Sequence, residues 1–162
     1  MDSLKGPGVW LGVVGLVLKG DDQVLAVKKA YSKTKGLWTL PGGFVSPGET
    51  IDEAVIREIK EETSINARIE GIIGARTGVL EEGISDNLLL FYLTYLEGEP
   101  KPRLGEIEEA RFISIADLLE DPLTNEFMLE SLKAFKPSRN RLVLQEMMPI
   151  RNYGYKKFKI FK

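Results

Sequence analysis

The stretch that most constrains this chain is GFVSPGETIDEAVIREIKEETSI, from Gly43 to Ile65, where a glycine- and proline-containing turn leads into a helical pattern. Strong helix formers fill the part from Thr50 to Thr63. Its apolar residues recur at helical spacing, at Ile51, Ala54, Val55 and Ile59. The pattern predicts an amphipathic helix with one face on a core and a tight turn before its first residue.

Three glutamates continue the apolar stripe of this helix. At about 100° per residue, Glu62 and Glu61 lie roughly 40° and 60° to either side of Glu58. Like charges at this spacing cost about 0.2–0.5 kcal/mol per pair on an exposed helix, and the helix dipole does not favour acids in the last turn. A cation is therefore expected beside them. On helix composition alone, an ordinary charged helix balanced by Arg57 and Lys60 remains an open alternative.

The residue types that the chain lacks narrow the chemistry further. It has no Cys and no His, which excludes disulfides, thiolate nucleophiles, imidazole bases and the usual zinc ligands. Clustered carboxylates without sulfur or imidazole suit Mg²⁺ or Mn²⁺. The turn before the helix adds Gly42, Gly43 and Gly48, and such glycines allow close backbone approach at a helix N-terminus, where anions bind well.

Length and patterning predict one mixed α/β domain. The longest apolar run, Val9 to Leu18, is too short for a membrane-spanning helix, and residues 1–10 do not resemble a signal peptide, so a cytoplasmic protein without membrane contact is expected. Predicted strands cover Val9–Leu18, Gln23–Lys29, Leu37–Leu40, Ala67–Leu80, Asn87–Glu99 and Ala110–Ile115. Predicted helices cover Thr50–Thr63, Ala116–Glu120 and Thr124–Lys136.

Charge divides the chain into two parts. Residues 136–162 hold eight Lys or Arg against the single acid Glu146, while residues 1–135 carry a net charge of −9. We predict a domain over residues 1–136 and a basic C-terminal extension, residues 137–162, packed on the same domain. The end of this extension, YKKFKIFK, alternates in the manner of an edge strand with solvated lysines. A basic arm for RNA or another anion is the less favoured alternative.

The stretch from Gly43 to Ile65 resembles the signature of the Nudix hydrolase family, G-x(5)-E-x(7)-R-E-U-x-E-E-x-G-U, where U is a bulky aliphatic residue. The matching residues are Gly43, Glu49, Arg57, Glu58, Ile59, Glu61, Glu62 and Ile65. One position departs, since Ser64 stands where the signature has its second glycine. Because this site follows the helix, it favours a left-handed backbone, which costs a non-glycine residue about 1 kcal/mol.

The resemblance implies an α/β/α sandwich with a mixed β-sheet between helices, and metal-dependent hydrolysis of a nucleoside diphosphate linked to another moiety. It implies that Arg57 pairs with Glu49 and orients the glutamates, and that a metal-activated water attacks phosphorus. The implied catalytic residues are Glu61, Glu58 and Arg57. The implied ligands of Mg²⁺, or of Mn²⁺, are Glu58, Glu61, Glu62, Gly43 through its carbonyl, and Glu106. Glu61 is the favoured general base, with Glu58 and Glu106 as alternatives.

Three further residues are candidates for substrate contact. Arg76 is predicted to bind the diphosphate because the guanidinium fork matches phosphate oxygens. Lys28 belongs to a group of lysines before the turn that would meet phosphates, although an exposed loop explains any one of them as well. Phe44 is a candidate to stack on a base, although aromatic residues in strands usually belong to a core.

The expected partner is a nucleotide or nucleoside-diphosphate-derivative substrate; nucleic acid is not favoured and a homodimer is left open. Some Nudix subfamilies carry a proline or tyrosine after the signature that accompanies ADP-ribose-like or dinucleoside polyphosphate substrates. The segment Ile72–Gly83 has neither residue, so the resemblance selects no substrate. Two alternatives to the general hydrolase remain, a catalytically inactive nucleotide-sensing module and an RNA 5′-end pyrophosphohydrolase that uses the basic tail.

Overall fold

A computed structural model describes residues 8–145 and 154–162. Two segments lie outside the described residues. One is residues 1–7, part of the N-terminal stretch that was predicted not to be a signal peptide, and the other is residues 146–153 of the predicted extension. Two long strands, β1 (Val9–Lys19) and β6 (Ser85–Glu97), run parallel at the centre of the main sheet. Every other strand pair in the described part of the chain is antiparallel, so the sheet is mixed.

The remaining strands among the described residues are β2 (Gln23–Lys29), β3 (Trp38–Thr39), β4 (Gly42–Phe44), β5 (Asn66–Val79), β7 (Ile107–Ser114), β8 (Leu144–Gln145) and β9 (Ile160–Phe161). The helices are α1 (Ile51–Thr63), α2 (Ile115–Glu120) and α3 (Glu126–Ala134). The main sheet has the order β3-β2-β1-β6-β5, with β4 also paired to β1 and β7 to β2, while β8 and β9 form a separate pair. Among the described residues, no helix combines the length and apolar character needed to cross a membrane.

A hydrophobic core lies on each face of the sheet, because side chains alternate along every strand. On one face, Val13 and Phe91 pack with the apolar stripe of α1, including Val55 and Ile59. On the other, residues of β1 and β2 pack with Leu118 of α2 and Met128 and Leu132 of α3. Helices therefore cover both faces, as predicted for an α/β/α sandwich.

The predicted elements are present, with shifted ends. The expected hairpin of β1 and β2 is confirmed. Only Leu18↔Val24 and Lys19↔Gln23 pair across it, because further along β1 pairs with β4 and β2 pairs with β3. Helix α3 begins two residues later than predicted because the Asn125 side chain accepts a hydrogen bond from the Met128 N–H at 2.8 Å and caps it there.

The prediction of an edge strand over the C-terminal residues holds only for Ile160–Phe161. The prediction that the lysines of this segment are simply solvated is wrong for two of them. Lys157 and Lys159 form ion pairs with acidic residues in the first turn of α1. The alternating pattern placed these lysines on the polar side of the segment, but it gave no information about the acids of α1 that face them.

Candidate active site

The turn before α1 brings the backbone against the helix. Strand β4 pairs with β1, which places Val13 opposite Gly43. A Cβ added at Gly43 would lie 2.5 Å from the Glu58 carboxylate, and one at Gly42 would lie 2.1 Å from the Val13 carbonyl oxygen. A side chain at Gly42 would meet backbone, so that position requires glycine, whereas a side chain at Gly43 would displace the end of the Glu58 side chain. The result is a carboxylate of α1 held directly beside the β4 backbone.

The ends of α1 fix the aim of its side chains. The Glu53 carboxylate accepts a hydrogen bond from the Thr50 N–H at 2.9 Å, which satisfies one N–H group at the start of the helix. At the other end, Ser64 has φ 63° and donates its N–H to the Lys60 carbonyl at 2.9 Å. Ser64 therefore adopts the left-handed conformation predicted for the second signature glycine, and the helix ends at Thr63 as expected.

Arg57 lies at the centre of a carboxylate network. Its Nε and Nη2 atoms donate to the two oxygens of Glu49 at 2.9 and 2.7 Å, which is the pairing expected from the sequence. Its Nη1 donates to Glu58 at 2.8 Å and to Glu61 at 3.3 Å, and Nη2 also donates to the Phe44 carbonyl at 3.1 Å. The hydrogen bond from Arg57 holds the pKa of Glu49 below its usual value, and the bond to Glu49 raises the pKa of Arg57.

Glu62 has a different environment from its neighbours. It is 4% exposed, and its carboxylate accepts from the Gly42 N–H at 3.0 Å and pairs with Lys29 Nζ at 3.1 Å. Lys29 in turn donates to the Gly42 carbonyl at 2.9 Å. Burial raises the pKa of Glu62, and the Lys29 ammonium opposes that effect. Glu62 thus ties α1 to β2 and β4 through a buried ion pair.

Arg103 joins the last signature glutamates to the later loop. Its Nη1 lies 3.2 Å from Glu61, and its Nε lies 3.5 Å from Glu106. Backbone hydrogen bonds attach this loop to the end of α1. The Arg103 N–H donates to the Glu62 carbonyl at 3.2 Å, and the Lys101 N–H donates to the Thr63 carbonyl at 2.9 Å. Glu106 is therefore brought beside Glu61 through a shared arginine.

The predicted substrate-binding residues are not brought together with this network, except for Phe44. The Phe44 ring packs edge-on against Trp10 at 5.6 Å. Lys28 pairs with Glu109 at 3.0 Å and lies 4.4 Å from the centre of the Trp38 ring.

Arg76 pairs with Asp86 at 2.7 Å and lies 5.5 Å from the centre of the Phe127 ring. Because Phe127 belongs to α3, Arg76 lies on the face of the sheet opposite α1. Arg76 and the glutamates of α1 therefore lie on opposite faces of the sheet, and the contact between Arg76 and a diphosphate stays a prediction.

The sequence pattern did not single out Arg103, and it indicated Lys29 only as one of the lysines before the turn that would meet phosphates, not as the partner of Glu62. Alternation along β2 places Lys29 on the same side of the strand as Leu25 and Val27, and Lys28 on the other side. It therefore indicates that the two lysines face different surroundings. Nothing in the sequence shows which side α1 covers. Arg103 gave no local signal, since it sits in a proline-containing loop 42 positions from its partner Glu61.

The donor set fits a hard divalent cation in its chemistry, because its atoms are carboxylate and carbonyl oxygens, with the Glu58 carboxylate directly against Gly43. In residues 8–145 and 154–162, no three carboxylates already converge as a set of metal ligands. The cationic groups of Arg57, Arg103 and Lys29 lie against the glutamates instead. Glu61, with its side chain 42% exposed, is the most accessible of the four signature glutamates.

A sheet between helices, with a glycine turn that leads into a glutamate-rich helix, defines an α/β protein with a network of carboxylates beside that turn. A model of the NUDIX domain matches residues 10–135, and the chain belongs to this family. It is 30% identical over 121 residues to an ADP-ribose pyrophosphatase of Methanocaldococcus jannaschii, covering 74% of this chain and 71% of that protein.

A second relative is more distant and longer. The NAD-capped RNA hydrolase NudC of Pseudomonas syringae pv. tomato is 27% identical over 134 residues, and the match covers 83% of this chain but only 46% of NudC. Among solved structures, the MutT NUDIX hydrolase from Burkholderia pseudomallei superposes with a TM-score of 0.69 at 22% identity, covering 79% of this chain and 98% of that one. That likeness supports the α/β/α fold.

Proposed function

We propose that the protein hydrolyses the diphosphate bond of a nucleoside diphosphate derivative in a metal-dependent reaction, with water attacking phosphorus. The observation that carries this proposal is the network in which Glu49 holds Arg57 and Arg57 holds Glu58 and Glu61. Arg57 thereby fixes Glu58, whose carboxylate lies beside the Gly43 backbone, together with Glu61, and a diphosphate and a cation would meet there. Membership of the Nudix family supports the same reaction class.

The oxygens that would hold the metal belong to Glu58, Glu61, Glu62, Glu106 and the carbonyl of Gly43. Mg²⁺ is the expected ion and Mn²⁺ the alternative, since both prefer such ligands. When bound, the ion lowers the pKa of a coordinated water and offsets the charge of the phosphates. Glu58 and Glu61 are the better placed ligands, because the two oxygens of Glu62 already face Lys29 and the Gly42 N–H.

The residues of the network then have separate roles in the proposed reaction. Glu61 takes the proton of the attacking water, because it is the most accessible carboxylate of the network. Arg57 keeps Glu58 and Glu61 in place and is itself kept in place by Glu49. Because Gly43 has no side chain, the Glu58 carboxylate can lie directly against the backbone of β4.

ADP-ribose is the first substrate to test. The support is the 30% identity to an ADP-ribose pyrophosphatase over most of both chains. The NudC relative adds NAD-capped RNA, whose cap also contains an adenosine diphosphate joined to a second moiety. The basic tail gives less support to an RNA substrate, because Lys157 and Lys159 are paired with acids of the same chain.

The experiment is a panel of ADP-ribose, NAD, nucleotide sugars, dinucleoside polyphosphates and nucleoside triphosphates, each with Mg²⁺, with Mn²⁺ and with excess chelator. We expect ADP-ribose to be converted to AMP and ribose 5-phosphate only with metal, with the oxygen of labelled water found in a phosphate product. Turnover of another compound would change the substrate and leave the reaction class intact. Binding of ADP-ribose by calorimetry without turnover of any compound would overturn the proposal in favour of a sensing module.

A further inference from the structure

The last residues of the chain reach the start of α1. Lys159 Nζ donates to Asp52 Oδ2 at 2.6 Å and to Thr50 Oγ1 at 3.1 Å. Lys157 Nζ donates to the Glu53 carboxylate at 2.8 and 2.9 Å and to the Gly48 carbonyl at 3.4 Å. These contacts join residues more than a hundred positions apart. Lys157 and Lys159 lie outside residues 10–135, which the family model matches, whereas their partners in and before α1 lie inside that range.

Packing holds this segment in place as well as charge. Strand β9 pairs with β8, and Val143 and Lys162 exchange two backbone hydrogen bonds at 3.0 and 3.1 Å. The Phe161 ring packs edge-on against Phe91 at 6.0 Å, and Phe91 is fully buried on the α1 face of the sheet. Residues 157–161, which we name the C-terminal clasp, are therefore anchored in the same core as α1.

Asp52 shows why the clasp matters to the helix. It is 7% exposed, and its Oδ1 atom has no hydrogen-bond partner among the described residues. Lys159 supplies the opposite charge to its other oxygen. Removal of the partner of a buried charge is strongly unfavourable, so loss of Lys159 would push the first turn of α1 to rearrange.

The two lysines hold the residues on either side of Glu49. Lys157 contacts Gly48 and Lys159 contacts Thr50. Glu49 lies between them, accepts a hydrogen bond from the Ser46 N–H at 2.7 Å and receives both hydrogen bonds from Arg57. The C-terminal clasp is thus connected to the catalytic glutamates through Glu49 and Arg57.

We propose that the C-terminal clasp positions the catalytic site, with Lys157 and Lys159 holding the segment from Gly48 to Thr50 so that Glu49 can fix Arg57. The effect on turnover rests on the function proposed above, whereas the effect on Arg57 does not. Lys157 and Lys159 are positioning residues, because they act through Glu49 and do not touch the glutamates that would bind metal.

The test uses the full-length protein with Lys157→Gln and Lys159→Gln combined. Lys156→Gln is the matched control, since Lys156 forms no ion pair among the described residues, and Lys159→Arg is the conservative variant. The first readout is the NMR resonance of the Arg57 Nε–H group. We expect the exchange of this group with water to accelerate about tenfold in the double variant, the effect of losing one charge-assisted contact. Lys156→Gln should change the exchange rate little, and Lys159→Arg should keep it near that of the parent protein.

The second readout is steady-state kinetics on whichever substrate the panel identifies. A fall in kcat with an unchanged KM is expected, because the clasp acts on the geometry of the catalytic glutamates. If the double variant melts at a lower temperature while Arg57 exchange and kcat stay unchanged, the clasp only packs against the domain and the proposal is wrong. If kcat falls without a change at Arg57, the proposed connection is also wrong. If no substrate is found, the Arg57 resonance alone decides.

Discussion

The guanidinium of Arg57 donates two parallel hydrogen bonds to the carboxylate of Glu49, at 2.9 and 2.7 Å. The remaining nitrogen of Arg57 reaches Glu58 and Glu61. A planar fork can hold one carboxylate with two nitrogens and still direct a third nitrogen elsewhere, which a lysine cannot do. The glutamates of α1 therefore depend on a residue in the loop before the helix.

Replacement of Arg57 tests this dependence. We expect Arg57→Lys to lower kcat by about 10–100-fold, the usual effect of losing a residue that orients metal ligands, while the protein remains folded. The measurement is steady-state hydrolysis with a circular dichroism spectrum of each variant. Arg68→Lys is the control, because Arg68 pairs with Glu70 on exposed β5. An Arg57→Lys variant with the parent kcat would contradict the role of the fork.

Arg103 is expected to compete with the metal for Glu61. Its guanidinium lies 3.2 Å from Glu61 and 3.5 Å from Glu106, and exposed pairs of this kind contribute about 1 kcal/mol or less. Arg103→Gln should therefore bind Mn²⁺ up to about fivefold more tightly in the absence of substrate, since about 1 kcal/mol corresponds to that ratio. Electron paramagnetic resonance of free Mn²⁺ measures this directly.

The control for that experiment is Arg111→Gln, because Arg111 pairs with Glu109 and not with a glutamate of α1. Equal Mn²⁺ affinity in Arg103→Gln and the parent would show that Arg103 does not occupy the metal site. Weaker affinity would show that it supports the site.

Glu53 gives a pH dependence for the C-terminal clasp. The hydrogen bond from Lys157 lowers the pKa of Glu53 from 4.5 to about 2, and the Thr50 N–H and Lys159 act in the same direction. Because the pKa is lower in the folded state, this contribution to stability is fully present above about pH 4.5 and is lost as the pH falls toward 2. A carboxyl NMR titration should show a depressed Glu53 pKa that returns toward its ordinary value in Lys157→Gln.

Lys156→Gln should leave that titration unchanged. A Glu53 pKa near 4.5 in the parent protein would mean that Lys157 does not dock on α1 in solution.

Ser64 predicts a stabilising change. It holds φ 63° at the end of α1, a conformation that costs a non-glycine residue about 1 kcal/mol or more. Ser64→Gly should raise the free energy of unfolding by about 0.5–1 kcal/mol, less than the full strain because glycine also gains entropy in the unfolded chain. Urea denaturation measures it. Ser85→Gly in β6 should do the opposite, and a loss of stability in Ser64→Gly would show that Ser64 makes a favourable contact.

The local features of the site could be predicted from the sequence because they depend on spacing along one helix. Helical periodicity placed Glu58, Glu61 and Glu62 along the apolar stripe of α1; Glu62 is buried and Glu58 half-buried there, whereas Glu61 is exposed. The position after the helix predicted the left-handed conformation of Ser64. The signature predicted the pairing of Arg57 with Glu49, which lies only eight positions away.

The rest depends on contacts between distant segments, which a single sequence does not encode in any local pattern. Lys29 could not be preferred over Lys28 without knowing that α1 covers the Lys29 side of β2. Arg103 reaches Glu61 from the loop between β6 and β7. Lys159 meets Asp52 because β9 pairs with β8, and neither two-residue strand is long enough to show periodicity.

The most direct test of the proposed function is the metal-dependent hydrolysis rate of Glu61→Gln, compared with that of Glu108→Gln. Glu108 is an exposed acid of β7 and serves as the matched control. With Mg²⁺ and the preferred substrate, Glu61→Gln should lose about 10²–10⁴-fold in kcat, the range for loss of a general base, while Glu108→Gln keeps the parent rate. If Glu61→Gln hydrolyses the substrate as fast as the parent protein, the assignment of the catalytic site to α1 is contradicted.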